Sequence, residues 1–128
     1  MNQFKIGIAT FLTAGIGIFT QTSCHSEIMC DEMFAMITVT VQGDTVKQAY
    51  VVDLKTQDTF DRTNNNINGA DYKIVDDSYM QKLNSNETRT IHFVATSNSS
   101  KTVEADFEIG KSDCHIEKKA GPAVLTFQ

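Results

Sequence analysis

Two segments of alternating polarity, joined by a short polar turn, constrain the fold of this chain more than any other feature. Residues 88–96 place Ile91, Phe93 and Ala95 on one side of an extended chain. After a turn at residues 97–100, apolar side chains alternate with Thr102, Glu104, Asp106 and Glu108. A period of two predicts an antiparallel hairpin with one buried face and one solvent-exposed face.

The same period predicts two strands nearer the amino terminus. Residues 34–41 form the first, with Ile37, Val39 and Val41 directed to the core. Residues 48–55 form the second. In this strand Tyr50, Val52 and Leu54 are predicted to share the buried face, with Asp53 on the opposite face.

The remaining strands are shorter and separated by turns. An extended piece at residues 59–62 precedes an asparagine-rich loop, a short strand follows at Tyr72 and Ile74, and two more strands are expected at residues 114–118 and 123–127. The chain has 128 residues, 41% of them hydrophobic, which suits a single globular domain. About seven strands at this spacing predict an all-β, antiparallel β-sandwich.

Residues 1–23 differ in composition from the rest of the chain. Lys5 is their only charged residue, and the apolar run of residues 6–19 is shorter than the roughly 20 residues needed to span a bilayer. This pattern is typical of a cleavable signal peptide. The protein is therefore expected to be exported.

Cys24 follows the small residues Thr22 and Ser23 and resembles the lipidated cysteine of bacterial lipoproteins, although Gln21 replaces the usual leucine-like residue. The resemblance implies lipid on Cys24, a linker at residues 24–32 and a domain at residues 33–128. It also implies a cell-envelope protein, attached to the outer membrane. The alternative is ordinary cleavage with a free or disulfide-bonded Cys24.

The chain has three cysteines, an odd number for an exported protein. If lipid consumes Cys24, then Cys30 and Cys114 are the natural disulfide pair in an oxidising compartment. A metal site is the alternative, but no C-x-x-C motif is present, and His25 and His115 do not complete a zinc spacing.

The asparagine-rich loop is the one segment that resembles a metal-binding motif. Its oxygen-bearing side chains alternate before Gly69, as in the first half of an EF-hand loop, but Val75 occupies the twelfth position. An Asx-rich turn without metal is the expected structure. The candidate calcium ligands are Asn64, Asn66, Asn68, Asp71 and Asp76, with Asp77 beside them.

No catalytic residues, enzyme activity or cofactor are predicted. The histidines His25, His92 and His115 lie in no nucleophile or acid–base motif, and His92 falls on the exposed face of the hairpin. Without Lys5, 10 basic residues stand against 16 acidic ones, a net charge of −6. Only Lys118 and Lys119 are adjacent, so a nucleic-acid partner is not expected.

Two stretches resemble known families. The run from Ile37 to Val51 is similar to the opening of carboxypeptidase-regulatory-like domains, and the tail after Cys114, with Gly121 and Pro122, resembles short Bacteroidetes lipoproteins of uncharacterised function. The resemblance implies an immunoglobulin-like or transthyretin-like sandwich without catalytic residues. The expected function is that of a lipid-anchored module that binds an envelope protein or glycan. The alternatives are a structural component of an envelope assembly and a calcium-stabilised glycan- or peptide-binding domain.

Overall fold

A computed structural model describes residues 28–128, which form nine strands and one 3-10 helix at Asp77–Lys82. The strands are β1 (Met36–Gln42), β2 (Val46–Asp53), β3 (Thr59–Asp61), β4 (Asn66–Ile67), β5 (Asp71–Asp76), β6 (Arg89–Ser97), β7 (Thr102–Lys111), β8 (Ile116–Ala120) and β9 (Val124–Thr126).

The strands form two sheets, with orders β4-β5-β1-β9 and β3-β2-β6-β7-β8. Neighbouring strands are antiparallel except for β1 and β9, which are parallel. This confirms the predicted all-β sandwich. The predicted count of about seven strands omitted β3, expected only as an extended piece, and β4, expected only as loop. Strands of three and two residues are too short to show a polarity period.

The predicted hairpin is confirmed as β6 and β7, which pair from Arg89↔Ile109 to Thr96↔Thr102. Two of its inward side chains, Phe93 and Phe107, are the largest fully buried side chains among the described residues. Each such side chain contributes roughly 1.5–3 kcal/mol through burial. The facing sheet supplies Ile37, Val39, Val41, Tyr72 and Ile74.

The predicted orientation of β2 was wrong. The buried side chains are Ala49, Val51 and Asp53, whereas Leu54 is 43% exposed. A shift of one residue exchanges the two faces of a strand. Because β2 has apolar residues on both faces, the sequence does not show which face is buried. Asp53 can lie inside because Arg89 neutralises its charge.

The chain crosses between the sheets from β8 to β9 at Gly121. Gly121 has a φ of +125°, and a Cβ atom there would lie 2.5 Å from Cδ1 of Phe107. Both the backbone conformation and the contact with the core favour glycine at this position.

The segment before β1 is attached to the sandwich by the predicted disulfide. Cys30 is bonded to Cys114, in the loop between β7 and β8, with 5.3 Å between their Cα atoms. The predicted signal peptide, Cys24 and His25 lie outside the described residues. Within residues 28–128 no helix is long and apolar enough to cross a membrane.

Candidate functional site

A buried polar network occupies the end of β2, and the sequence did not predict it. Asp53 is fully buried and accepts hydrogen bonds from the Tyr79 hydroxyl at 2.5 Å and from Nη1 of Arg89 at 2.9 Å. Nη2 of Arg89 also donates to Glu87 and to the carbonyl of Lys82. The network therefore joins the 3-10 helix to β2 and β6.

The charges in this network compensate one another. Burial acts to raise the pKa of Asp53, but hydrogen bonds from Tyr79 and Arg89 outweigh it and hold the pKa below its usual value. Burial and the nearby Asp53 raise the pKa of Tyr79. Hydrogen bonds from Lys55, the Asn84 amide and Arg89 lower the pKa of Glu87 to about 2. Each of these shifts moves the pKa further from neutral pH, which is the pattern of mutually compensated charges that stabilise a fold.

A cleft lies beside this network, between the two sheets, and has a volume of about 210 Å³. One wall comes from β2, β3 and β6, and the other from β5 and the 3-10 helix. The residues that line it are Val51, Phe60, Arg62, Lys73, Val75, Asp76, Ser78, Tyr79, Lys82 and Ile91.

The cleft combines buried aliphatic side chains with cations. Val51, Val75 and Ile91 are buried core residues. Two cations lie near the ring of Phe60: Nζ of Lys82 is 4.6 Å and Cζ of Arg62 is 5.5 Å from the ring centroid. Cation–π attraction therefore holds both cations at the cleft.

Arg62 is a half-buried cation of the cleft that forms no ion pair with a carboxylate among the described residues. Its guanidinium donates only to the carbonyls of Ile74 at 3.3 Å and Asp61 at 3.4 Å, and its Nε is buried with no acceptor among the described residues. Burial lowers the pKa of Arg62, and the charges of Asp76 and Asp61 only partly offset this. Arg89, in contrast, binds two carboxylates.

The other two cations of the cleft differ in how they are paired. Lys73 forms an ion pair with Asp76 at 2.7 Å. Lys82 lies 3.8 Å from Asp58, beyond hydrogen-bond distance. Arg62 and Lys82 are therefore the cations available to an anionic ligand.

No protein-family model, curated protein or solved structure matches this chain. The assignment of a site therefore depends on the geometry of the chain itself.

The candidate calcium ligands, in the loop that was expected to be an Asx-rich turn without metal, do not converge on one position. Asp71 accepts a hydrogen bond from the Thr40 hydroxyl at 2.5 Å, whereas Asp76 caps the 3-10 helix through the Ser78 amide at 3.0 Å. These carboxylates lie at opposite ends of β5, roughly 16 Å apart along the strand.

The asparagines of the predicted calcium loop have backbone roles. Asn66 pairs with Tyr72 in the sheet, Asn68 takes a positive φ of 57° in the following turn, and Asn64 is exposed. Within residues 28–128, no group of three His, Cys, Asp or Glu side chains is arranged to hold a metal ion.

His115 forms a second set of contacts that the sequence did not predict. Its Nδ1 is 2.7 Å from Asp77 and its Nε2 is 2.8 Å from Asp31. The hydrogen bond to Asp77 and, to a smaller extent, the one to Asp31 raise the pKa of His115. Asp77 also accepts from the Ala35 amide. These contacts and the disulfide hold the segment before β1 against the sandwich.

The other sequence candidates do not form a site. His92 lies on the predicted exposed face, with Nδ1 2.6 Å from Asp106. A larger depression of about 460 Å³ surrounds the turn between β1 and β2, but its one charged side chain, Asp44, is bonded to neighbouring serines. The cleft that contains Arg62 is therefore the stronger candidate for ligand binding.

Proposed function

We propose that this protein is a non-catalytic binding module of a bacterial cell envelope, and that the cleft between β3 and β5 receives part of its ligand. The proposal depends on one observation: Arg62 is a half-buried cation that binds no carboxylate among the described residues, and its Nε has no acceptor. Placing a charge or a donor in a low-dielectric site without a partner costs free energy. An anionic ligand group at the Nη atoms of Arg62, which make only long hydrogen bonds, offsets the cost of the unpaired charge.

The second part of the proposal concerns attachment. Residues 1–23 act as a signal peptide and lipid on Cys24 anchors the chain, as in the Bacteroidetes lipoproteins that it resembles, with an immunoglobulin-like or transthyretin-like domain. Cys30 follows Cys24 by six residues, so the disulfide holds the sandwich within about 20 Å of the anchor.

Exposed apolar side chains support this arrangement. They are concentrated in the segment before β1, where Met29 is 93% exposed and Met33 is 75% exposed, with Ile28 and Phe34 beside them. A cluster of exposed apolar residues marks a surface that contacts a partner or a membrane. Their position next to the proposed anchor fits a segment close to lipid.

Attachment is tested by mass spectrometry of the native protein. We expect a mature chain that begins at a lipid-modified Cys24 and partitions into detergent. The Cys24→Ala variant should accumulate as unprocessed precursor or be released from the membrane. An unmodified amino terminus at another residue would contradict the anchoring part of the proposal.

Ligand binding at the cleft is tested by photo-crosslinking in the native envelope. A benzophenone side chain placed at Asp58, beside Lys82 at the cleft, should form a discrete crosslinked product. The matched control is Glu104 in β7, whose side chain is 65% exposed and does not line the cleft. Identical products from both positions, or no product from position 58, would refute the proposal that the cleft binds a partner.

A further inference from the structure

We infer that the cleft binds the carboxyl-terminal residue of a peptide chain, with its carboxylate at Arg62 and Lys82 and an aliphatic side chain toward the cleft floor. This inference rests on the proposed function and specifies the ligand class of the same site. Three properties of the cleft lead to it: its charge, its size and the chemistry of its walls.

The charge of the cleft suits a single carboxylate. Asp76 neutralises Lys73, while Asp58 and Asp61 lie close to Lys82 and Arg62 without bonding to them through their carboxylates. The remaining positive charge is too small for a dianion such as phosphate. The Nη1 and Nη2 atoms of Arg62 make only long hydrogen bonds, of 3.4 and 3.3 Å, and the planar guanidinium can present their N–H groups to the two oxygens of a carboxylate, which accept parallel hydrogen bonds.

The size of the cleft suits one residue. Small-molecule sites usually have volumes of roughly 300–1,000 Å³. The cleft has about 210 Å³, so it accommodates a terminal group and not a ring system with several substituents. The rest of such a ligand would lie outside, along the surface of the sandwich.

The walls favour a peptide over an acidic sugar. Val51, Val75 and Ile91 offer aliphatic contacts. The polar side chains of the lining already bond within the protein, Lys73 and Ser78 to Asp76 and Tyr79 to Asp53, so sugar hydroxyls would find few free partners. The ring of Phe60, which a sugar could stack against, already contacts Arg62 and Lys82. A carboxylate on an apolar residue therefore fits the cleft better than a uronic acid.

The test is an NMR titration of the protein purified from the envelope in detergent. The probes are acetyl-Gly-Gly-Leu with a free carboxylate and the same peptide with a terminal amide. The free acid should shift the backbone signals of Phe60, Arg62 and Val75. The amide should bind about tenfold more weakly, because it loses charge-assisted hydrogen bonds.

Variants test the assigned cations. Arg62→Gln and Lys82→Gln should each weaken binding of the free acid about tenfold, whereas Lys101→Gln, an exposed lysine remote from the cleft, should bind like the wild type. Preserved dispersion of the core signals, including that of Phe93, shows that each variant is folded.

Three results would overturn the inference. They are equal binding of acid and amide, unchanged binding by Arg62→Gln, and tighter binding of glucuronate than of the peptide. The last result would assign the cleft to an acidic glycan. If the peptide does not bind but position 58 still gives the crosslinked product, only the peptide carboxylate is rejected as the ligand. If the peptide does not bind and the crosslinked product is also absent, the proposed binding function is rejected.

Discussion

At the scale of single residues, Asp53 illustrates how the fold can depend on a charge inside its core. Its carboxylate has no exposure to solvent and binds Arg89 and Tyr79. Asp53→Asn should lower the free energy of unfolding by about 3–5 kcal/mol, because Arg89 then remains buried without this partner. Urea denaturation followed by circular dichroism measures the change.

Glu108→Gln is the control for Asp53→Asn, since it removes an exposed carboxylate from β7. It should change stability by no more than about 0.5 kcal/mol. Similar losses for the two variants would show that the buried network is not a principal source of stability.

The role of Asp53 could not be predicted from the sequence. Its partners Tyr79 and Arg89 follow it by 26 and 36 residues, and no local pattern links the three. Because Asp53 lies between apolar neighbours in a strand with two apolar faces, a polar residue there favours the exposed face. The buried charge can be recognised only when the partners are known.

At the scale of structural elements, the disulfide joins the segment before β1 to the loop between β7 and β8. It closes a long stretch of chain, with a sequence separation of 84 residues. Replacing both Cys30 and Cys114 by serine should cost roughly 2–5 kcal/mol through greater freedom of the unfolded chain. Strand content, measured by circular dichroism, should be retained. Unchanged stability of the double variant would contradict this role.

The contacts of His115 make the attachment of the segment before β1 sensitive to pH. The pKa of His115 is raised in the folded state by Asp77 and Asp31. The stabilisation of the folded state by protonated His115 is therefore complete below about pH 6.5, the ordinary histidine pKa. It is lost as the pH rises through the raised pKa of His115 in the folded protein. The lowered pKa of Asp77 acts only in the acidic range, so it is constant near neutrality.

His115→Gln tests this dependence. The urea midpoint of the wild type should exceed that of the variant at pH 6, and the difference should decrease by pH 8. A difference that does not change with pH would show that protonated His115 does not stabilise the segment.

Elements differ in how far the sequence predicts them. The hairpin of β6 and β7 was predictable because eight paired positions alternate in polarity on both strands. The two-residue strand β4 was not, because two residues are too few to show a polarity period. The disulfide was predictable from the number of cysteines and the expectation of an oxidising compartment, whereas the contacts of His115 were not.

At the scale of the whole molecule, the cleft forms only when the two sheets pack together, because no single segment of the chain contains all of its lining residues. Its cations come from the residue after β3, from β5 and from the 3-10 helix, and the layered fold brings them to one opening. The sequence predicted the two-sheet architecture and a binding role. It gave no indication of the cleft, because Arg62, Lys73 and Lys82 are isolated cations in a chain with an acidic balance.

The most direct test of the central claim is lysine footprinting of the cleft in the native envelope. Lys82 is 44% exposed in its side chain and should react with an amine-acylating reagent in the purified protein. In the envelope, a bound ligand should protect Lys82, while Lys101 and Lys118, both exposed away from the cleft, react equally in the two preparations. Equal labelling of Lys82 in both preparations would contradict the claim that this cleft is a binding site.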